Sequence, residues 1–135
     1  MAIELFETKK INFNDLIGKP FKYGGRGPGS YDCYGLCIEA AKRAGIFLPE
    51  IKELINLRKR NEKFVVEKNK CYKRILKPEP FCFITLKLHP KYITHIGFCI
   101  DHHRFLHITK EKRTCIEKLI TYKRKIEGYY KFIND

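Results

Sequence analysis

The 135-residue chain has no apolar run long enough to span a membrane. Its first residues, Met1-Ala2-Ile3-Glu4-Leu5-Phe6-Glu7, lack the basic stretch and apolar core of a secretory leader. The expectation is cytoplasmic synthesis, with any export by another route. No internal repeat, low-complexity tract or linker-like stretch divides the sequence, so residues 1–135 read as one domain large enough for a core of its own. Strands and helices do not alternate in the way a parallel α/β sheet demands. The glycine-rich stretch Gly24-Gly25-Arg26-Gly27-Pro28-Gly29 has no Gly-Lys-Ser/Thr ending, and Pro28 removes an N–H, which excludes a phosphate cradle. Cys33, Cys37, His95 and His107 are possible zinc ligands, but no second pair of closely spaced cysteines accompanies them. Neither a metal nor a cofactor is expected.

Acidic residues are scarce: 15 Asp and Glu stand against 28 Lys and Arg, a formal net charge of +13. Such a balance points to anionic partners, whether nucleic acid, an acidic membrane surface or an anionic cell-wall polymer. Many of the charges lie in 52–73, where a solvated helix face would account for them without a partner. No aromatic-plus-basic recognition motif supports specific nucleic-acid binding.

Six cysteines in a short chain raise the question of a disulfide framework. Cys82 and Cys99 lie in apolar strand-like runs and Cys37 on a helix, where a free thiol behaves as a small hydrophobe. Cys71 and Cys115 carry no signal. A reducing environment fits this pattern.

The texture changes along the chain. Residues 12–18 read as a short helix closed by Gly18. A longer helix is expected from Asp32 or Cys33 to Gly45, with Asp32 as N-cap. Ile51, Leu54 and Ile55 give 50–60 a helical period, and 61–80 reads as a charged insertion. Strands follow at 81–88, at 95–100 and 105–108 as a hairpin around Asp101-His102-His103-Arg104, and at 115–119 and 125–132. Helices first and strands second define an α+β domain, its N-terminal helices packed on an antiparallel sheet of about five strands.

One cysteine has a setting suited to chemistry. Cys33, in Tyr31-Asp32-Cys33-Tyr34-Gly35-Leu36-Cys37, follows the glycine loop and opens the helix, where unpaired N–H groups favour a thiolate. His95, in Thr94-His95-Ile96-Gly97-Phe98, enters one strand, and His107, in Phe105-Leu106-His107-Ile108, lies on the next. A nucleophile, a base and an orienting partner are thereby present. His102 and His103 belong to a turn with Asp101 and read as surface residues.

These motifs resemble the NlpC/P60 family of papain-like cysteine peptidases in their order: Pro20, Gly24 and Gly25, then Asp32-Cys33-x-Gly35-Leu36, then His95-x-Gly97, then a hydrophobic strand with His107. Gly24-Gly25-Arg26-Gly27-Pro28, Gly45-Ile46-x-Leu48-Pro49 and Gly128-Tyr129-Tyr130 resemble more narrowly the branch encoded in phage and prophage tail modules. The resemblance implies a papain-like fold and a catalytic triad of Cys33, His95 and His107. It further implies cleavage of peptidoglycan stem peptides, commonly between D-glutamate and the following diamino acid, and partners among tail proteins. The family's tyrosine near the oxyanion hole falls on Phe21 here, so Tyr23 is the expected substitute. With Asp32 and Tyr34 it completes the expected oxyanion and substrate-binding set. Phe81-Cys82 stands where the family often has Gly-Asp. Two other readings stay open: a catalytically silent tail-assembly module, and an amidase or acyltransferase using the same triad.

Overall fold

The computed structural model describes residues 11–50, 71–91, 93 and 95–133. Of the helical period expected over 50–60 only Glu50 is among them, and 61–70 of the expected insertion also lies outside them.

The helix α1, Cys33–Arg43, begins where the sequence says it should. Asp32 is extended, and its Oδ1 accepts a hydrogen bond from the Gly35 N–H at 2.6 Å, a cap of the kind that contributes about 1 kcal/mol. Leu36, Cys37, Ala40 and Ala41 recur at helical spacing and are buried. The helix closes at Gly45, whose φ of 82° lets its N–H reach Lys42 O at 3.0 Å while the Ile46 N–H reaches Ala41 O at 2.8 Å. That double closure requires a left-handed residue, a conformation glycine takes without penalty. The short helix expected at 12–18 is a single 3₁₀ turn, Asn14–Leu16.

Six strands form one antiparallel sheet: β1 Tyr72–Ile75, β2 Phe83–Leu86, β3 His95–Cys99, β4 Arg104–Thr109, β5 Arg113–Lys118 and β6 Ile126–Phe132. Their order across the sheet is β1-β6-β2-β3-β4-β5. The expected hairpin at 95–108 is present as β3 and β4, and β5 and β6 fall within two residues of their expected bounds. The sheet nevertheless has one strand more than expected. β1 lies in the stretch read as an insertion, because Tyr-Lys-Arg-Ile carries too few apolar residues to announce a strand. It is an edge strand, pairing only with β6 through Tyr72–Phe132 and Arg74–Tyr130, and one side needs no burial.

Alternation along the strands splits the core in two. Phe83, Ile96, Phe98, Leu106 and Ile108 pack with α1. Ile84, Leu86, Cys99, Phe105 and Leu119 form a second cluster on the other face, flanked by Tyr122 and Tyr129. Phe81, where the resembled family often has glycine, has a φ of 70° and stacks on Phe98 at 6.0 Å between ring centroids. All six cysteines are free. Among the described residues no helix is long and apolar enough to cross a membrane.

Candidate active site

Cys33 is the first residue of α1 and is buried. The glycine loop is fastened beneath it. Asp32 Oδ1 accepts from Gly35 N and from Arg26 Nη1 at 2.8 Å, and its Oδ2 accepts from the Gly24 N–H at 3.1 Å. Arg26 also grips Glu50, with Nη2 2.7 Å from Oε1. A Cβ on Gly35 would run into the Gly25 carbonyl oxygen, so the loop lies directly against the first turn of the helix. This is the physical content of the Asp-Cys-x-Gly spacing: a cap, a cysteine at the helix start and a position that must have no side chain.

α1 packs across β3 and β4, the strands that carry the two histidines. The β3–β4 register pairs Phe98 with Leu106 and Cys99 with Phe105, and its continuation makes His95 and His107 diagonal neighbours. Their rings meet at His95 Nε2···His107 Nδ1, 2.9 Å. His107 lies between Phe105, 4.4 Å away between centroids, and the edge of Tyr122.

The chain of hydrogen bonds continues beyond the expected triad to Glu117 on β5. His107 Nε2 is 2.6 Å from Glu117 Oε1, which also accepts from the Tyr122 hydroxyl at 2.7 Å, while Oε2 accepts from Lys112 Nζ at 2.9 Å. Partial burial would raise the Glu117 pKa, but these three donors outweigh it and hold the carboxyl down to about 2. Burial lowers the His107 pKa against the pull of Glu117. A carboxylate can only accept, so neutral His107 carries its proton on Nε2 and accepts at Nδ1. His95 therefore donates from Nε2, and its remaining ring lone pair is on Nδ1.

This arrangement has a consequence for stability. The carboxyl of Glu117 is more acidic folded than unfolded, so its contribution is complete above the ordinary carboxyl value near 4.5 and is lost as pH falls toward 2. His107 acts in the same direction: its pKa is depressed from 6.5, so the unfolded chain takes up the proton first as pH falls below that value. Thermal melts of the wild type and Glu117→Gln are expected to differ most near pH 7 and to converge toward pH 2. A constant gap across that range would show that Glu117 acts through packing alone.

The other expected binding residues have different positions. Asp32 and Tyr34 are buried, and both side chains are committed within the fold: Asp32 to the loop, Tyr34 by donating its hydroxyl to Pro49 O at 2.7 Å. They fix the chain on either side of Cys33. Tyr23 is 47% exposed, edge-on to Phe21 at 5.0 Å, with the Lys110 ammonium 4.5 Å from its ring centroid. Cys37 is fully enclosed, and burial pushes its thiol well up. Sequence reasoning missed Glu117. The signal was an isolated acid two residues after Cys115 on an expected strand, but only the β4–β5 register, which pairs His107 with Cys115, brings it to the histidine.

A helix headed by a cysteine, laid on an antiparallel sheet whose neighbouring strands carry a histidine pair, defines the α+β domain. The chain belongs to the NlpC/P60 family, whose model matches residues 18–127. Among solved structures it is similar to an NLP/P60-family protein from Staphylococcus aureus, at 20% identity and TM-score 0.68, over 96% of this chain and 42% of that one. NlpC2 from Trichomonas vaginalis is similar at 20% identity and TM-score 0.63, over 96% of this chain and 46% of that one. The NlpC/p60 domain of the peptidoglycan hydrolase SagA aligns at 12% identity and TM-score 0.59, over 87% of this chain and 91% of that domain. The chain thus spans less than half of the first two proteins, and at these identities the likeness concerns the fold. No curated protein sequence matches the chain.

Proposed function

We propose that this chain is a cysteine-dependent hydrolase of peptidoglycan stem peptides, of the γ-D-glutamyl–diamino acid endopeptidase type. The observation that carries the proposal is the relay His95–His107–Glu117 on β3, β4 and β5, together with Cys33 at the head of the helix that packs on β3 and β4. A neutral His95 with its proton on Nε2 is a base at Nδ1, and that is the state needed to take the thiol proton. The Cys33 thiolate then adds to the amide carbonyl, and its own N–H, at the helix N-terminus, donates to the oxyanion. His95 passes its Nδ1 proton to the leaving amine, giving a thioester. Water, deprotonated by His95, hydrolyses that ester and restores Cys33. Cys33 and His95 are the catalytic residues, and His107 and Glu117 position the base. Tyr23, exposed at the end of the glycine loop, is the candidate for contact with substrate.

The context we propose is a phage or prophage tail, acting on the wall at DNA entry or during assembly. Some of the residues that resemble that branch are tied together in the fold: Arg26 bonds Asp32, and Tyr34 joins α1 to Pro49. A net charge of +13 suits an anionic wall and predicts activity weakened by salt.

The test is incubation with purified peptidoglycan under reducing conditions and mass spectrometry of the released fragments. New termini at D-glutamate and the diamino acid are expected. A different cut would revise the bond, and no release from several wall types would favour a silent assembly module. Within the site, His95→Ala is expected to lower kcat by about 10²–10⁴-fold. His107→Ala should lower it less, because water can accept the His95 Nε2 proton in its place. The reverse order would mean that the two roles are exchanged.

A further inference from the structure

The β4–β5 ladder brings three ligands of unlike chemistry together behind the histidine pair. His107 pairs with Cys115 across the ladder, and Glu117 follows Cys115 on the same face. The His107, Cys115 and Glu117 ligand atoms all lie within 4.8 Å of one another. His107 Nε2 is 2.6 Å and Cys115 Sγ 3.8 Å from Glu117 Oε1. Ligands on a tetrahedral zinc ion stand roughly 3.3–3.6 Å apart, given bonds of about 2.0–2.3 Å. The group brackets that spacing, and a shift of Glu117 under about 1 Å would bring it into range. We propose that His107, Cys115 and Glu117 form a site for a divalent cation of zinc-like softness, with water as fourth ligand, and that its occupation switches the relay off. The regulatory half of this inference rests on the hydrolase reading above; the binding half does not.

The chemistry of the switch is a reversal of tautomers. In the metal-free relay His107 carries its proton on Nε2 and accepts from His95 at Nδ1. A cation needs the Nε2 lone pair, so the His107 proton moves to Nδ1, and the Cys115 thiol proton leaves to solvent. His107 Nδ1–H then points at His95 Nε2, which must accept. His95 can no longer hold a proton on Nε2, so the imidazolium that pairs with a thiolate and protonates the leaving amine faces a second N–H across 2.9 Å. The ion also competes with Lys112 and Tyr122, which hold Glu117 in the free protein. That competition makes the site a reversible one, unlike a closed structural zinc centre.

Binding is tested in a Cys33→Ala background, which removes the nucleophile as a ligand and makes the readout independent of turnover. Cobalt(II) is titrated into Cys33→Ala and into the Cys33→Ala, Cys115→Ser double variant, after melts confirm that both fold. A thiolate-to-cobalt charge-transfer band saturating at one equivalent, lost with Cys115→Ser and displaced by zinc, is expected. A band that survives Cys115→Ser, or no band in either protein, overturns the site. For the switch, Cys115→Ser in the otherwise intact chain should leave basal turnover unchanged and raise the zinc concentration for half-inhibition at least tenfold. Equal inhibition of both proteins would assign zinc's effect to Cys33 and overturn the switch while leaving the cobalt result to stand by itself.

Discussion

Cys33→Ala is expected to release no soluble fragment from peptidoglycan under conditions in which the wild type digests it, while melting at nearly the same temperature. The two halves of this expectation have separate causes. Turnover is lost because alanine cannot form the thioester, and what the oxyanion donor and binding alone retain is roughly 10³–10⁴-fold over water, invisible in a wall-digestion assay. The fold persists because the elements that fix residue 33 lie on either side of it. Asp32 caps the helix through Gly35, and Leu36, Ala40 and Ala41 bury its apolar face. Truncation removes one buried sulfur from a site enclosed by α1 and the sheet, a cost of about 1–2 kcal/mol at most, in the range of ordinary core truncations of that size. Fragment release by Cys33→Ala at the wild-type rate would remove the cysteine from the mechanism. Loss of the folded state would mean that the sulfur itself fastens α1 to the sheet.

What the sequence makes legible follows from how local the causes are. α1 can be read because its start, its buried face and its end are each determined within a few residues: Asp32, the Leu36–Ala41 spacing, Gly45. The β3–β4 hairpin is equally local, since Asp101 accepts from the His103 and Arg104 N–H groups at 2.8 Å each and ties the turn to itself. The histidine pair comes with that hairpin. β1 is not legible, because an edge strand of four residues borrows its register from β6, more than fifty residues further on. Glu117 is hidden for a related reason: its meaning depends on the β4–β5 pairing, and a single acid in a basic chain reads as one more solvated charge. Tyr34 adjoins Cys33 in the sequence, but only the packed helix shows its ring in the core and its hydroxyl on Pro49.

Gly35→Ala is expected to damage stability and activity together, and the coupling is the point. The added Cβ meets the Gly25 carbonyl oxygen, Arg26 Nη1 at 3.0 Å and Asp32 Oδ1 at 3.1 Å. Two of these atoms are held by the chain itself: the carbonyl accepts from the Asp32 N–H at 3.2 Å, and Oδ1 is the helix cap. Neither can swing aside as the end of a flexible side chain would. Overpacking of this kind costs about 1–3 kcal/mol, and displacing the cap adds about 1 kcal/mol. For a chain of this size the sum corresponds to a fall in Tm of roughly 5–15 °C. Because the residue pushed away is the one preceding Cys33, the proposed nucleophile, kcat should fall even well below Tm, where the protein remains folded. A misplacement near 1 Å can cost about 10²-fold in rate. Circular dichroism melts and wall digestion on the same preparation separate the two effects. A variant that melts early yet digests normally at low temperature would show that the loop supports the fold without aiming Cys33. An unchanged Tm would mean that the Gly24–Gly29 loop moves away from α1 at no cost, and that the tight Asp-Cys-x-Gly contact is not what sets the thiol in place.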